Sequence, residues 1–309
     1  MNLESIAPKF YASANRVVSI GGGHGLAATL NALKTRKIFP VGVVSVADDG
    51  GSSGRLRETF GHIPPGDLRR CVSALLPPSS PWLELLEYRF DSGELKGHAL
   101  GNLIFTALNE TNASAVDAAV KLCQLVGAQG LILPTAEVPL TLKGEFAEIE
   151  LLGQVLLAQT SGLSNVSLLP KDPIVPEVVL EAIDSATAIT LGPGSLFTSV
   201  IAVCGIPAIR RAIVSSNAKV IFVANLAPQM GEAENFTIAA HVREVIELDI
   251  DVNWVLYDDS SIKLGDIFQF SSAIRWVNRA MATDDKRVHS PELLGSLLVQ
   301  ILSDANHRL

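Results

Sequence analysis

A glycine-rich segment near the start of this sequence has the composition of a phosphate-binding loop. It is formed by residues Gly21, Gly22, Gly23, His24 and Gly25. It follows the apolar run Val17–Ile20 and precedes a segment with leucines at helical spacing. Because glycine lets the backbone approach a ligand and a helix N-terminus attracts negative charge, we predict an anion-binding loop here. The alternative is a tight strand-to-helix turn with no bound ligand.

A second glycine-rich segment repeats the arrangement later in the chain. An apolar run ending at Leu191 is followed by Gly192, Pro193, Gly194 and Ser195. We predict that Gly192, Gly194 and Ser195 contact a second phosphate. Ser195 is not predicted to be a nucleophile, because it lies in no G-x-S-x-G motif and the sequence places no histidine to activate it.

Two adjacent acids follow the apolar run Val41–Val46. Asp48 and Asp49 precede a polar segment in which Ser52 and Ser53 lie among glycines. Carboxylates on a flexible polar loop suit a hydrated Mg²⁺ that also binds phosphate oxygens, so these two acids are the predicted metal ligands. The two serines are predicted to bond phosphate or sugar. A solvated turn rich in Asp and Gly is the alternative.

The next polar cluster lies at the start of a predicted helix. A Pro-Pro-Gly turn delivers Asp67 to the helix start and brings Arg69 and Arg70 into its first turn. Cations are electrostatically unfavourable at a helix N-terminus, which indicates an anionic ligand or a carboxylate partner. We assign Asp67 and Arg69 to the predicted ligand site, while an exposed helix start without a ligand remains the alternative.

Four more polar residues are candidates for the same site. His98 and Asn102 lie one helical turn apart and are predicted to face one ligand, with a helix cap and close packing at Gly101 as the alternative. Asn225 ends a later strand and Glu232 lies on the loop that follows. For these two, a ligand contact and a solvated loop are equally open, and Asn225 is included in the predicted site.

Composition excludes several classes of protein. The 309 residues are 48% hydrophobic and 18% charged, which is typical of a folded chain and not of a disordered one. With 24 Lys and Arg against 32 Asp and Glu, and only 6% aromatic residues, no nucleic-acid surface is expected. The three cysteines are widely spaced, and no secretory leader or membrane span is predicted, so the expected location is the cytoplasm.

Periodicity in the first half predicts an alternation of strands and helices. A strand, a helix and a strand over Val17–Val46 form a βαβ unit. Four further helices are predicted at Asp67–Leu76, Pro81–Tyr88, His98–Asn109 and Ser114–Leu125. From about residue 130 to 170 the sequence alternates polar and apolar residues between turn pairs, which predicts a small β-rich insert and not a separate domain.

The alternation then resumes. Strands are predicted at Ala188–Leu191, Lys219–Ala224 and Val252–Tyr257, and helices at Ser195–Cys204, Thr237–Glu247 and Pro291–Leu302. The predicted fold is α/β, a doubly wound, mostly parallel Rossmann-like sheet in a single nucleotide-binding domain over residues 1–309. In such a sheet the ligand lies at the carboxyl ends of the strands.

Taken together, the motifs resemble those of the gluconeogenesis-factor (YvcK-type) family, relatives of the 2-phospho-L-lactate transferase CofD. The resemblance rests on five segments in the same order: Gly21–Leu26, Ala47–Arg57, Pro64–Arg69, Gly97–Asn102 and Gly192–Ser199. The chain departs from the family pattern at His24, where Thr is usual, and at Ala233, where a Gly-Glu-Thr motif usually ends.

The resemblance implies a Rossmann-like cytoplasmic protein of bacteria that binds a uridine diphosphate sugar, such as UDP-N-acetylglucosamine. It implies a role in cell-wall peptidoglycan synthesis and cell shape during growth on gluconeogenic carbon. Carried onto this sequence, it makes the two glycine loops phosphate contacts and Asp48 and Asp49 metal or substrate acids. It also implies that Arg287, before the last helix, meets the nucleotide.

Three functions follow, in order of preference. The first is a nucleotide-sugar-binding regulator, and the second is a Mg²⁺-dependent phosphotransferase of the 2-phospho-L-lactate transferase type. A nicotinamide oxidoreductase is third, disfavoured by the Asp-Asp-Gly-Gly loop. The sequence leaves open the sugar, any catalysis, the metal requirement, protein partners, phosphorylation and assembly into a homo-oligomer.

Overall fold

A seven-stranded parallel sheet forms the centre of the protein. The computed structural model describes residues 2–285 and 287–306. The strands are β1 (Val17–Gly21), β2 (Val41–Val44), β3 (Leu131–Pro134), β4 (Thr141–Phe146), β5 (Ile149–Leu152), β6 (Ser164–Leu169), β7 (Ala188–Leu191), β8 (Lys219–Val223), β9 (Trp254–Tyr257) and β10 (Arg275–Asn278). The parallel sheet has the order β10-β9-β8-β7-β1-β2-β3, which confirms the predicted fold class.

The chain reverses its direction of winding between β1 and β7. From β1 it builds outward through β2 and β3, and it later returns to add β7 on the other side of β1. The register pairs Val18 with Val41 across β1 and β2, and Val17 with Ala188 across β1 and β7. The carboxyl ends of β1 and β7 therefore lie side by side at a topological switch point, where open α/β sheets bind ligands.

Both faces of the sheet are buried. In β1, Val17 packs in one hydrophobic cluster while Val18 and Ile20 pack in the other, because successive side chains of a strand point to opposite faces. The last helix supplies Leu294 and Leu298 to the first of these clusters. Coverage on both faces explains why the strands are continuous apolar runs.

Helices connect the strands of the large sheet. They are α1 (Leu3–Ile6), α2 (Pro8–Tyr11), α3 (Gly23–Thr35), α4 (Gly51–Phe60), α5 (Gly66–Ala74), α6 (Pro81–Glu87), α7 (Leu100–Thr111), α8 (Ala115–Val126), α9 (Gln154–Ala158), α10 (Glu177–Ser185), α11 (Ala202–Cys204), α12 (Pro207–Ser215), α13 (Ile238–Ile246) and α14 (Pro291–Asn306). The helices predicted from periodicity are confirmed, with small shifts at their ends. The sequence pattern did not predict α1, α2, α4, α9, α10, α12 or β10.

The segment after the paired acids was predicted to be a flexible polar loop, and this prediction was wrong. Residues Gly51–Phe60 form α4, which ends at Gly61 with a φ of +68°. Glycine and serine are poor helix formers, so propensity did not indicate this helix. Tertiary packing compensates, because Ser52, Ser53 and Gly54 are all buried.

The predicted helix Ser195–Cys204 is also different in detail. Residues Leu196–Ile201 form a π-helical segment, and only Ala202–Cys204 continue as an α-helix. The N–H of Val200 bonds the carbonyl of Ser195, five residues earlier, at 3.0 Å. Side chains of a neighbouring loop bind the amides of the first turn, as described below, and π-helical turns occur frequently at functional sites.

The insert is smaller than the predicted range of about 130–170. Residues Leu131–Pro134 form β3, which pairs with β2 in the large sheet. The insert proper is the antiparallel sheet β5-β4-β6 together with α9. Two hydrogen bonds from Arg57 of α4, to the Leu140 carbonyl at 2.8 Å and the Thr141 hydroxyl at 2.7 Å, attach it to the large sheet.

No single helix within residues 2–285 and 287–306 is long and apolar enough to cross a membrane. The segments Leu196–Cys204 and Pro207–Ser215 satisfy the length and composition test only when taken as one pair, and they are bent by 72°.

Candidate functional site

A cavity of about 670 Å³ lies where the loops after β1 and β7 meet. Its volume is within the range of pockets that bind small molecules. Among the residues predicted from the sequence, those that line it are Gly22, Gly23, His24, Gly25, Asp48, Ser52, Ser53, Asp67, Arg69, Asn102, Gly194, Ser195, Asn225 and Arg287. The predicted residues outside its lining are Gly21, Asp49, His98 and Gly192.

The first glycine loop delivers the start of α3 to this cavity. Gly22 is the N-cap residue, and Gly23 begins the helix with a φ of +56°, a conformation that favours glycine. A Cβ atom on Gly22 would lie 2.7 Å from Oδ2 of Asp67. The helix N-terminus therefore faces an internal carboxylate at one side and the open cavity at the other, an arrangement suited to anions.

Two carboxylates come together beside this loop. Asp48 and Asp67 both line the cavity, and burial followed by the charge of Asp48 raises the pKa of Asp67 to about 6. A Cβ atom on Gly66 would lie 3.0 Å from Oδ2 of Asp48 and 2.2 Å from the Ser53 hydroxyl oxygen. The Asp48 carboxylate and the Ser53 hydroxyl thus both lie against Gly66, and Asp67 lines the same cavity. Carboxylate and hydroxyl oxygens are the donors that Mg²⁺ prefers.

The predicted pairing of Asp48 with Asp49 is not what the fold produces. The carboxylate of Asp49 accepts hydrogen bonds from the backbone N–H groups of Gln154 at 2.9 Å and Val155 at 3.0 Å. It therefore binds the start of α9 in the insert, where a negative charge is favourable, and not the cavity. Adjacent residues in an extended segment point in opposite directions, which explains the separation.

A hydrogen-bonded network links α4, α5 and α7 behind the cavity. The Ser52 hydroxyl is 3.0 Å from Nδ1 of His98 and accepts from the Asn102 amide at 3.0 Å. The side-chain oxygen Oδ1 of Asn102 accepts from Nε of Arg69 at 3.1 Å. Arg69 is only 1% exposed and also pairs with Glu87. His98 and Asn102 thus both contact the Ser52 hydroxyl. Asn102 lines the cavity, whereas His98 does not and reaches it only through Ser52.

Three arginines outside this network contribute positive charge to the cavity lining. Arg70 pairs with Oδ1 of Asp67 at 2.9 Å, which is the carboxylate partner that its helix position indicated. Arg89 and Arg287 also line the cavity. Burial, then the charges of Arg70 and Arg69, lower the pKa of His24, so His24 is neutral at pH 7. Such a surface attracts phosphate groups.

The second glycine loop is occupied by the protein itself. Asn225 accepts from the Gly194 N–H at 2.8 Å and donates to the Gly194 carbonyl at 2.8 Å. The amides of Leu196 and Thr198 donate to Gln229 and Glu232, each at 3.2 Å. The Gly194 N–H is one of the donors that the sequence assigned to a second phosphate, and the other two follow that loop directly. In this structure they bind side chains of the loop after β8.

Glu232 completes this loop-to-loop contact. It is 1% exposed, and its second oxygen accepts from the Gln229 amide at 2.5 Å. Burial raises the pKa of Glu232, and hydrogen bonds from Thr198 and Ser195 oppose that rise. The Gln229 amide also donates to the Ser195 hydroxyl. The loop after β8 therefore forms part of the cavity wall. Asn225 contributes to this wall by bonding the backbone of Gly194.

Several cavity residues were not predicted from the sequence. They are Ser45, Arg89, Gln154, Thr198, Ser199, Pro228, Gln229, Val288 and His289. Thr198 and Ser199 end the motif segment Gly192–Ser199. The others lie in no glycine-rich or acidic motif, so their signal would have been a position just after a strand or next to a predicted site residue. Within residues 2–285 and 287–306, no three His, Cys, Asp or Glu side chains converge to hold a metal ion.

Comparisons with known proteins find relatives that cover most of the chain. The family model for 2-phospho-L-lactate transferase CofD matches residues 17–263. The gluconeogenesis factor of Listeria innocua is 36% identical over 235 residues, covering 75% of this chain and 73% of the relative, and that of Listeria monocytogenes is 37% identical with the same coverage. A crystal structure of a UPF0052 family protein from Bacillus halodurans matches with a TM-score of 0.86 at 28% identity, covering 92% of this chain and 98% of that one.

Proposed function

Because this chain belongs to the family of CofD and the gluconeogenesis factors, we propose that it binds a nucleotide sugar in the cavity between its two glycine loops. UDP-N-acetylglucosamine is the first ligand to test. The proposed role is a regulator in the cytoplasm that supports cell-wall synthesis and cell shape during growth on gluconeogenic carbon.

The observation that carries the binding proposal is the meeting of a helix N-terminus with several arginines at the switch point of the sheet. The start of α3 presents Gly23, His24 and Gly25 to the cavity, and Arg70, Arg89 and Arg287 line it as well. Backbone N–H groups, a helix dipole and guanidinium groups together match a diphosphate. A cavity of about 670 Å³ has room for the attached nucleoside and sugar.

Binding without turnover is preferred because the polar groups near Ser195 have structural tasks. The Ser195 hydroxyl accepts from Gln229 and is also bonded to Glu232, whose carboxylate already accepts from the Thr198 N–H of the π-helical segment and from the Gln229 amide. A nucleophile needs a neighbouring base that is free to take its proton. The arrangement therefore favours recognition of the ligand over attack on it.

A Mg²⁺-dependent phosphotransferase of the 2-phospho-L-lactate transferase type is the second candidate. The closeness of Asp48 and Asp67 favours it, because Mg²⁺ is commonly bound by one or two carboxylates plus substrate phosphates. These two residues would hold the ion, with Ser53 beside them. When bound, Mg²⁺ neutralises charge on the transferred phosphate. The chain's own contribution would be to position the phosphates with α3 and Arg70.

One experiment separates binding from turnover. The purified chain is heated with UDP-N-acetylglucosamine, UDP, GDP or inorganic phosphate, each with Mg²⁺ or a chelator, and the ligand is then recovered and analysed by mass spectrometry. A ligand at one hundred times its dissociation constant stabilises the fold by about 2.7 kcal/mol, which gives a clear shift in Tm. We expect a shift with the UDP sugar, little with phosphate, and an unchanged ligand afterwards.

The outcomes have different meanings. No Tm shift with any uridine nucleotide would exclude the ligand proposal. A shift accompanied by a new product would favour the transferase. As a site control, Gly22→Val places a branched side chain against Asp67 and Ser199. The same heating experiment should therefore show a smaller ligand-induced Tm shift for this variant.

A further inference from the structure

The cavity follows the carboxyl ends of four neighbouring strands, β8, β7, β1 and β2. The loop after β8 lines one end with the apolar side chains of Leu226, Ala227 and Pro228, and the segment after β2 lines the other with Asp48 and Ser53. The start of α3, which follows β1, lies between the two ends. A nucleotide sugar has the same order of parts, because its base has an apolar face, its diphosphate is charged and its sugar carries hydroxyl groups.

The helix of the insert, α9, is attached to the segments at both ends of the cavity. In its first turn the N–H of Gln154 donates to the Asp49 carboxylate, in the segment after β2, at 2.9 Å. Beyond its last turn the Ser161 hydroxyl donates to the carbonyl of Gly231, in the loop after β8, at 2.9 Å. A Cβ atom on Gly231 would lie 2.2 Å from the Ala158 carbonyl oxygen, so this loop packs directly on the helix end. The two attachments fix the backbone of Gln154 beside the polar end of the cavity.

Gln154 has a side-chain amide that the protein itself leaves unused. Within residues 2–285 and 287–306, the side-chain amides that line the cavity are those of Asn102, Gln154, Asn225 and Gln229. In Asn102, Asn225 and Gln229 the amide oxygen and nitrogen both bond other parts of the chain. The side-chain amide of Gln154 bonds no residue that the structure describes, although the residue is half-buried and its backbone is bound to Asp49. Its hydrogen-bonding capacity is therefore available to a ligand.

A primary amide matches a sugar hydroxyl better than it matches a phosphate. The amide donates through its nitrogen and accepts through its oxygen, and a hydroxyl group also does both. A phosphate oxygen without a proton only accepts, so it would leave the amide oxygen unused. Gln154 lies next to the segment after β2, at the opposite end of the cavity from the apolar side chains after β8. Its chemistry and its position therefore both fit the sugar.

We propose that Gln154 recognises the sugar of the bound nucleotide, with its side-chain amide bonded to a sugar hydroxyl. The inference rests on the proposed binding of a nucleotide sugar. It orients that ligand with the base against Leu226 and Pro228, the diphosphate at the start of α3 and the sugar under α9. The parallel sheet then supplies the phosphate contacts, and the insert supplies the contact that distinguishes a nucleotide sugar from a nucleotide.

The first test compares two ligands of equal charge. Isothermal titration is carried out with UDP-N-acetylglucosamine and with the methyl ester of UDP, in which a methyl group replaces the sugar on the terminal phosphate. The sugar nucleotide should bind the unmodified protein more tightly, because only its sugar can bond the Gln154 amide. Loss of that bond in Gln154→Ala should reduce this preference about tenfold and leave the affinity for the methyl ester unchanged.

Gln159→Ala is the matched control on the same helix. Gln159 follows the last turn of α9, is exposed and does not line the cavity. This variant should keep the full preference for the sugar nucleotide. Gln154→Ala is expected to fold, because the bond to Asp49 comes from the backbone N–H and alanine is a good helix former.

The second test detects the same contact from the insert and needs no variant. Hydrogen exchange followed by mass spectrometry is measured for residues 153–161 of the unmodified protein, saturated with each of the two ligands. The sugar nucleotide should slow exchange in this segment more than the methyl ester does, because a ligand bonded to Gln154 stabilises α9. Equal protection by the two ligands would overturn the inference.

The results separate this inference from the proposed function. If both ligands bind and Gln154→Ala weakens both by the same factor, the amide contacts the phosphates or the base, and only this inference fails. Equal affinities of the two ligands for the unmodified protein have the same meaning. If neither ligand binds, the proposed function fails together with this inference.

Discussion

The backbone of Gly25 lies directly against the carbonyl of Pro193, so that a Cβ atom at Gly25 would be 2.1 Å from that oxygen. Gly25 belongs to the first turn of α3 and Pro193 to the loop after β7. The two glycine loops are therefore packed into one unit at the switch point. Glycine at position 25 is required by this close approach, since the helical backbone itself would accept any residue.

Gly25→Ala should destabilise the protein and weaken ligand binding together. Forcing a methyl group into a packed contact costs about 1–3 kcal/mol, because the loop after β7 must move away. Gly50→Ala is the milder control, since Gly50 lines the same cavity with a φ of −89° and its Cβ would lie no closer than 3.2 Å to a neighbouring atom. Urea unfolding and titration with UDP test both variants. A Gly25→Ala protein with unchanged stability would contradict the packing of the two loops.

Glu232→Ala should destabilise the fold although the side chain that it removes is polar. Removing the carboxylate leaves the Thr198 N–H and the Gln229 amide without their acceptor, at a cost of about 1–3 kcal/mol. Glu232→Gln keeps one acceptor oxygen and should lose less. Glu234→Ala, at an exposed position on the same loop, is the control and should change the free energy of unfolding by less than about 0.5 kcal/mol.

The parts of the fold that depend on local pattern could be predicted from the sequence. The βαβ unit around Gly21–Gly25 has an apolar run, a glycine loop and leucines at helical spacing within about 30 residues. The strand at Ala188–Leu191 was predicted with the bounds that the structure has. The glycine loops, Asp48, Asp67 and Arg69 were all expected near one ligand, because loops at the carboxyl ends of neighbouring strands must meet.

What could not be predicted depends on contacts between distant residues. Asp49 and its partner Gln154 are 105 positions apart. Because the Asp49 side chain points to Gln154, the acid that lies near Asp48 is Asp67. The second glycine loop was assigned to a phosphate because its sequence resembles the first. The backbone N–H groups of Leu196 and Thr198, just after this loop, bind Gln229 and Glu232, more than 30 residues later. No local signal indicates that contact.

The acid stability of the protein should depend on His289. Burial lowers the pKa of His289 from 6.5 to about 4, so the unfolded chain binds a proton there more readily than the folded one between these two pH values. The stabilising contribution of the neutral ring is complete above pH 6.5 and is lost as the pH falls toward 4, by up to about 3 kcal/mol. His289→Phe should show a smaller decrease in the free energy of unfolding between pH 7 and pH 4. An identical pH profile would mean that folding does not lower the pKa of the ring.

The two adjacent acids should have separable effects. Asp48→Ala removes a carboxylate from the cavity and is expected to abolish any strengthening of UDP-sugar binding by Mg²⁺, while the insert stays ordered. Asp49→Ala removes the acceptor for the first amides of α9, which costs about 0.5–2 kcal/mol as for other helix caps. In the Asp49→Ala variant, the backbone amide hydrogens of the insert, residues 141–169, should exchange faster than in the unmodified protein. The Mg²⁺ dependence of ligand binding should be unchanged.

The comparison of these two variants decides between a shared and a divided role for the acids. Hydrogen exchange followed by mass spectrometry reports the insert, and titration with and without a chelator reports the cation. The carboxylates of Asp48 and Asp67 share one wall of the cavity, whereas that of Asp49 is bound to Gln154 and Val155. A division of effects is therefore expected. Loss of the Mg²⁺ dependence in Asp49→Ala, with normal exchange in the insert, would instead return Asp49 to the cation site.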